Sequence, residues 1–154
     1  MIDLIHDVAV VHLKDATDIT NHTDIGSNYV DMAGFNSAMF LVNIGALTNQ
    51  DANNCVIPIL QECDAAPATN GSWGACAAAD IIGSTFAVVN SAATDQLTQK
   101  AAYRGAARYL RVLLDFTSAG ANPDHCPCSI DAIMFAARHG PASGVTPTSG
   151  TSTA

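Results

Sequence analysis

Tyr109-Leu-Arg-Val-Leu-Leu-Asp-Phe116 alternates along its whole length: Leu110, Val112, Leu114 and Phe116 fall on one side, Tyr109, Arg111, Leu113 and Asp115 on the other. Successive side chains of an extended backbone point to opposite faces, so this spacing predicts a β-strand with one core face and one mixed face. The strand closes a segment, Lys100 to Phe116, that holds four of the six basic residues: Lys100, Arg104, Arg108 and Arg111. Lys14 and Arg138 sit near opposite ends of a chain whose formal charge is -8. The guanidinium fork matches a carboxylate at two points. Arg104 and Arg108, placed on the turn before the strand, and Arg111, presented outward from it, are therefore candidate partners for acids of this domain or of a neighbouring subunit.

Working outward, most of the remaining chain reads as short strands. Val8–Leu13 is β-branched and bounded by Asp and Lys, and a polar run from Asp15 to Asn28 follows it. Tyr29–Met32 and the almost continuously apolar Ser37–Gly45 lie either side of Gly34. The second of these fits a strand covered on both faces at the centre of the core. Cys55–Cys63 is another strand, and Pro58, lacking an N–H, places it at a sheet edge or a bulge. Ala77–Ile82 suits one or two helical turns by propensity. Thr85–Val89 reads as a strand between polar runs, and Cys128–Ala137 as the last strand, favoured over a helix by Ile130 and the β-branched Ile133. Strands at this spacing predict a mainly β fold, an antiparallel β-sandwich or jelly-roll-like domain with at most one short helix. Residues 1–139 read as a single β-rich domain. Residues 140–154, rich in Gly, Ser, Thr and Pro, read as an extended arm, with Pro141, Val145 and Pro147 as its candidate contacts on a neighbouring subunit.

At 154 residues a single domain buries roughly 68–70% of the surface its unfolded chain exposes, so the core needs no external staple. Hydrophobic residues make up 49% and charged ones only 13%, which leaves an exterior of Ala, Ser, Thr, Asn and Gly suited to packing against protein. Thirteen Asp and the single Glu62 argue against a phosphate-binding surface and hence against nucleic acid as a partner. No window approaches eighteen consecutive apolar residues, and Met1–Asp7 lacks a basic leader. The expectation is therefore neither membrane span nor secretory signal.

Five cysteines leave at least one thiol free or shared between chains. Cys63 and Cys76 flank a loop and form the pair most readily bridged. His125-Cys126-Pro-Cys128 carries ligand types that zinc prefers, but not the usual two-residue spacing. No metal or other cofactor is assigned, and free buried thiols remain an alternative to bridges. No G-x-S-x-G, Walker or Rossmann motif occurs, and the five histidines stand in no metal-binding spacing. Glu62 and Asp64 could form a carboxylate pair only in an apolar pocket that splits their pKa values. They read instead as solvated or ion-paired acids. No catalytic residue is assigned, and the chain reads as a non-enzyme.

Several segments then combine. Phe35-Asn-Ser-Ala-Met-Phe-Leu-Val-Asn-Ile-Gly45, Pro58-Ile-Leu-Gln-Glu-Cys-Asp64, Ala78-Ala-Asp-Ile-Ile-Gly83, Gln99-Lys-Ala-Ala-Tyr-Arg-Gly105, Arg108-Tyr-Leu-Arg-Val112 and Ala137-Arg-His-Gly-Pro-Ala142 occur in that order. Together they resemble small virion-associated structural proteins of tailed bacteriophages. The resemblance spans about Val8 to Ala142 and departs from the pattern in the cysteines and the Ser/Thr/Gly tail. It implies a capsid decoration or cement protein, made in the host cytoplasm and located on the virion. Its implied partners are the major capsid protein and copies of itself, trimers among them. A neck or tail component, such as a connector or tail-completion protein, is the first alternative. A carbohydrate-binding β-sandwich module is the second, weakened by a supply of one tryptophan, Trp73, and three tyrosines for stacking on sugars.

Overall fold

Eleven strands carry the fold in a computed structural model that describes residues 8–20, 23–51, 54–65, 73–116, 125–137 and 149–150. They are β1 (Val8–Ile19), β2 (Ile25–Gly26), β3 (Tyr29–Asp31), β4 (Phe35–Ile44), β5 (Ile57–Cys63), β6 (Gly74–Ala75), β7 (Ile81–Ile82), β8 (Leu97–Tyr103), β9 (Tyr109–Asp115), β10 (Cys126–Ala137) and β11 (Ser149–Gly150). The first sheet runs β1-β10-β4-β8-β7; the second runs β11-β3-β9-β5-β6, with β2 also beside β9. All pairings are antiparallel. The protein is a mainly β, two-sheet antiparallel sandwich, and among the described residues its one helical element is a 3-10 turn at Ala78–Asp80.

The alternation read at residues 109–116 sets the core. Leu110, Val112 and Leu114 are fully buried and Phe116 nearly so. They pack against the inner residues of the first sheet, among them Phe40, Val42, Ile130 and Met134. Two of the crossovers between the sheets are short turns that lie side by side: one after β3, closed by the Phe35 N–H donating to the Met32 carbonyl at 2.9 Å, and the 104–108 turn between β8 and β9.

Several expectations are corrected. β1 continues to Ile19 through the polar Asp15–Asp18 stretch, because two register shifts against β10 let an exposed edge strand carry polar side chains on both faces. Thr85–Val89 is not a strand: one bridge, Val56 to Val89, holds it, while Phe86 and Val89 are buried as irregular chain. The strand in that region is β8, whose Thr, Gln, Lys and Ala residues show little hydrophobic pattern yet pair with β4 over its whole length. β4 is central but covered on one face only, since Met39 and Leu41 on the other face are partly exposed. Pro58 lies where β5 has β9 on one side and no neighbour on the other, β6 reaching only Gln61 and Glu62. In the arm, Ser149 and Gly150 pair with Val30 and Tyr29 of the same chain, so this part runs along its own domain. Pro141, Val145 and Pro147 lie outside the described residues.

Candidate functional site

Each of the three arginines has a distinct setting. Arg108 forms the two-point fork with Asp31: Nε donates to Oδ1 at 3.0 Å and Nη2 to Oδ2 at 2.9 Å. Asp31 Oδ1 also accepts the Ala33 N–H at 2.9 Å, and the Arg108 carbonyl accepts the Met32 N–H at 2.7 Å. The pair thus clamps the two crossovers together. Its partner is an acid of its own domain, the first of the two kinds of partner expected for it. Burial acts to raise the Asp31 pKa, but the Arg108 guanidinium and the Ala33 N–H outweigh it and hold the carboxyl below its ordinary 3.8.

A folded-state pKa below the unfolded one gives stability that is fully present above the unfolded value and lost as pH falls through the folded value. Arg108→Ala is therefore expected to raise the Asp31 pKa toward 3.8 in a carbon-detected NMR titration. It should also destabilise the domain at neutral pH but not below the folded-state pKa of Asp31. An Asp31 titration unmoved by the substitution would contradict the clamp.

Arg111 points outward from β9 as expected, yet it is 7% exposed. Its guanidinium lies over the Trp73 ring, 4.5 Å from the centroid, and Nε donates to Gln61 Oε1 at 2.8 Å. On its remaining flank is Gly26, where a Cβ would come 2.5 Å from Nη1, so a side chain there would displace the guanidinium. Burial pushes the Arg111 pKa down. Tyr29 packs against Trp73 at 6.1 Å and edge-on against Tyr109 at 5.7 Å, while Arg108 sits 5.1 Å over the Tyr109 ring. The outer face of the second sheet around β9 is therefore roofed by the domain's own aromatic and arginine side chains. Residues from Tyr29 to Arg111, 82 positions apart in sequence, build this roof, and no local pattern announces it. Two of the three tyrosines and the tryptophan expected to be too few for sugar stacking do gather here, but Tyr109 is 7% exposed and Arg111 occupies one face of Trp73.

Trp73 is the sole tryptophan, so its fluorescence reports this cluster directly. Arg111→Ala is expected to shift the emission to longer wavelength and to cost about 2 kcal/mol, through lost packing and an unpaired Gln61 carbonyl. An unchanged spectrum would contradict the stacking. Arg104, exposed like Arg108, is anchored by its backbone N–H to the Asp80 carbonyl at 2.9 Å.

Acids and thiols are similarly accounted for. Glu62 points to the core side of β5 and accepts the Tyr103 hydroxyl at 2.7 Å, whereas Asp64 is exposed beyond the strand end, so the two do not act as a pair. The Tyr103 oxygen also accepts the Ala107 N–H at 3.0 Å. Cys63 and Cys76 are free thiols, which corrects the bridge suggested by their spacing. In the β5–β6 register Gln61 faces Ala75 and Glu62 faces Gly74. Cys76 therefore falls opposite Leu60 on the core side while Cys63 lies on the outer side, and their Cβ vectors diverge.

Cys126 and Cys128 are buried free thiols on the core face of β10. The Cys126 thiol hydrogen-bonds to the Cys128 sulfur, which holds Cys126 up and Cys128 down. His125 pairs with Asp18. Among the described residues no three His, Cys, Asp or Glu side chains are grouped to hold a metal. A cavity of about 230 Å³ opens between β5 and β8, lined by Pro58, Leu60, Cys76, Ile81, Phe86 and Ala101 among others. Cys76 is its only titratable group, and burial, reinforced by Glu62, pushes that thiol up to about 12. It is a neutral thiol at physiological pH and a poor nucleophile.

The outer face of the first sheet differs from that of the second. Reading across the register, Val10 pairs with Ile133, Ile133 with Met39, Met39 with Ala102, and Ala102 with Ile82. One apolar row thus crosses all five strands, and its ends are strongly exposed, Val10 at 68% and Ile82 at 48%. The next row holds His12, Asp131, Leu41 and Lys100. The sequence hides this row because each member comes from a different strand. Among the described residues no helix is long and apolar enough to cross a membrane. Comparison with known protein families, with characterised proteins and with solved structures finds no match to this chain.

Proposed function

We propose that this chain is a non-enzymatic structural protein of a bacteriophage virion, a capsid decoration or cement protein that binds the major capsid lattice and stabilises it. The observation that carries the reading is the apolar row across the first sheet. A domain that roofs one face with its own side chains leaves the other open, with Val10 68% exposed, and such a face marks a protein that works packed in an assembly, against copies of itself or other proteins. The order of segments from Phe35 to Ala142 supports the virion setting.

The physics of a lattice fits the composition. Few charges and many Ala, Ser and Thr side chains mean that little desolvation is needed on contact. Contacts repeated over a shell add up to strong attachment without any single one being strong. A protein that binds only the assembled shell stabilises it by about 2.7 kcal/mol per site when its free concentration is a hundred times Kd. The test is co-sedimentation of the purified protein with expanded shells of the major capsid protein encoded by the same phage. Saturable pelleting is expected; protein left in the supernatant at micromolar concentration contradicts the proposal.

A further inference from the structure

We infer that the outer face of the first sheet is a symmetric interface with a second copy of this chain, joined about a two-fold axis that runs along β4. The inference rests on reading this face as an assembly surface, and it names the occupant. β4 is the third of five strands in the order β1-β10-β4-β8-β7. An axis lying in the interface along β4 therefore lays β4 on the partner's β4, β10 on the partner's β8 and β1 on the partner's β7.

That arrangement makes the face complementary to itself. Met39 and Leu41 meet their own copies, Ile133 meets the partner's Ala102, and Val10 meets the partner's Ile82. The two most exposed members of the row, at 68% and 48%, thus cover each other.

Charge selects this axis over the other one available. Asp131 and Lys100 occupy the same row on the strands either side of Leu41. Two strand spacings separate them by about 10 Å, too far to pair within one chain. About an axis along β4, Asp131 faces the partner's Lys100 and Lys100 faces the partner's Asp131, giving two reciprocal ion pairs at the edge of the apolar row. An axis across the strands would instead set Asp131 on the partner's Phe135, an aromatic ring that offers it no cation. His12, which hydrogen-bonds Asp131 through Oδ1, keeps that carboxylate in place. One row further on, Thr98 donates to Asn43 at 2.6 Å and Asn43 to Ser129 at 3.2 Å, so a polar ladder meets a polar ladder. The second sheet then faces away from the dimer on both sides, free for the lattice.

Sedimentation equilibrium of the isolated full chain tests this without capsids. The wild type is expected at twice the 15.9 kDa chain mass in the micromolar range. Met39→Asp should return the single-chain mass with far-UV circular dichroism unchanged, since Met39 touches the outer face and not the core. Asp131→Lys and Lys100→Asp should each weaken the dimer about tenfold or more in Kd, because each sets like charges together twice. The double variant should recover most of the loss, a rescue that mere misfolding would not produce. A single-chain mass for the wild type up to high micromolar concentration overturns the inference, as does a dimer indifferent to Met39→Asp and to the charge exchanges. A monomer that still pellets with shells overturns this inference alone and leaves the capsid reading standing.

Discussion

Phe40→Ala should destabilise the domain by about 4–5 kcal/mol, a large share of the 5–15 kcal/mol that typically holds a domain folded. Phe40 is fully buried at the middle of β4. Its cross-strand neighbours on the core face are Ala132 on β10 and Ala101 on β8. Large-to-small substitutions cost most where the surroundings cannot collapse into the void, and two flanking methyl groups have nothing to move. The ring is thus the filler that lets two alanines sit beside it. Chemical denaturation should show the loss with little change in slope. A cost under about 2 kcal/mol would mean that the second sheet closes on the gap, and that the packing described between the sheets is wrong.

Gly105→Ala is expected to cost about 3 kcal/mol although it adds a single methyl group on a turn. A Cβ there would come 2.4 Å from Tyr103 Cζ and closer still to its hydroxyl oxygen, with Asp80 Cγ at 2.9 Å. Tyr103 is 1% exposed, and its hydroxyl is held by Glu62 and by the Ala107 N–H, so the ring cannot swing aside without leaving both unpaired. Burial and the Glu62 hydrogen bond also push the Tyr103 pKa up, which keeps the hydroxyl a donor at all ordinary pH. Tyr103→Phe removes part of the obstruction. The double variant should therefore be less unstable than the sum of the singles, by more than about 0.5 kcal/mol. Strict additivity in thermal and denaturant unfolding would contradict the contact.

Parts of this molecule were legible from sequence for a definite reason. β9 declares itself because one face of it is core and the other is not, whereas β4 shows as a continuous apolar run although only one of its faces is covered. The 104–108 turn and the edge position of Pro58 follow from local chemistry as well. What escaped depends on residues remote in sequence. Arg111 looks like a surface cation until Trp73, Gln61 and Gly26 enclose it. Arg108 has an acid of its own domain available only because two crossovers come side by side. Cys63 and Cys76 look bridgeable across a loop until the register sets them on opposite faces. β8 escaped because a strand flanked on both sides can be built of Ala, Thr, Gln and Lys, with pairing rather than side-chain pattern holding it. The open apolar row is the extreme case, since it takes one residue from each of five strands.

The most direct test of the proposed structural role is a three-dimensional map of the bacteriophage particle to which the proposal assigns this chain. Density for a two-sheet sandwich repeated in hundreds of positions over the shell is the expected result. About six or twelve copies in a ring at one vertex, or none on the particle, would contradict it.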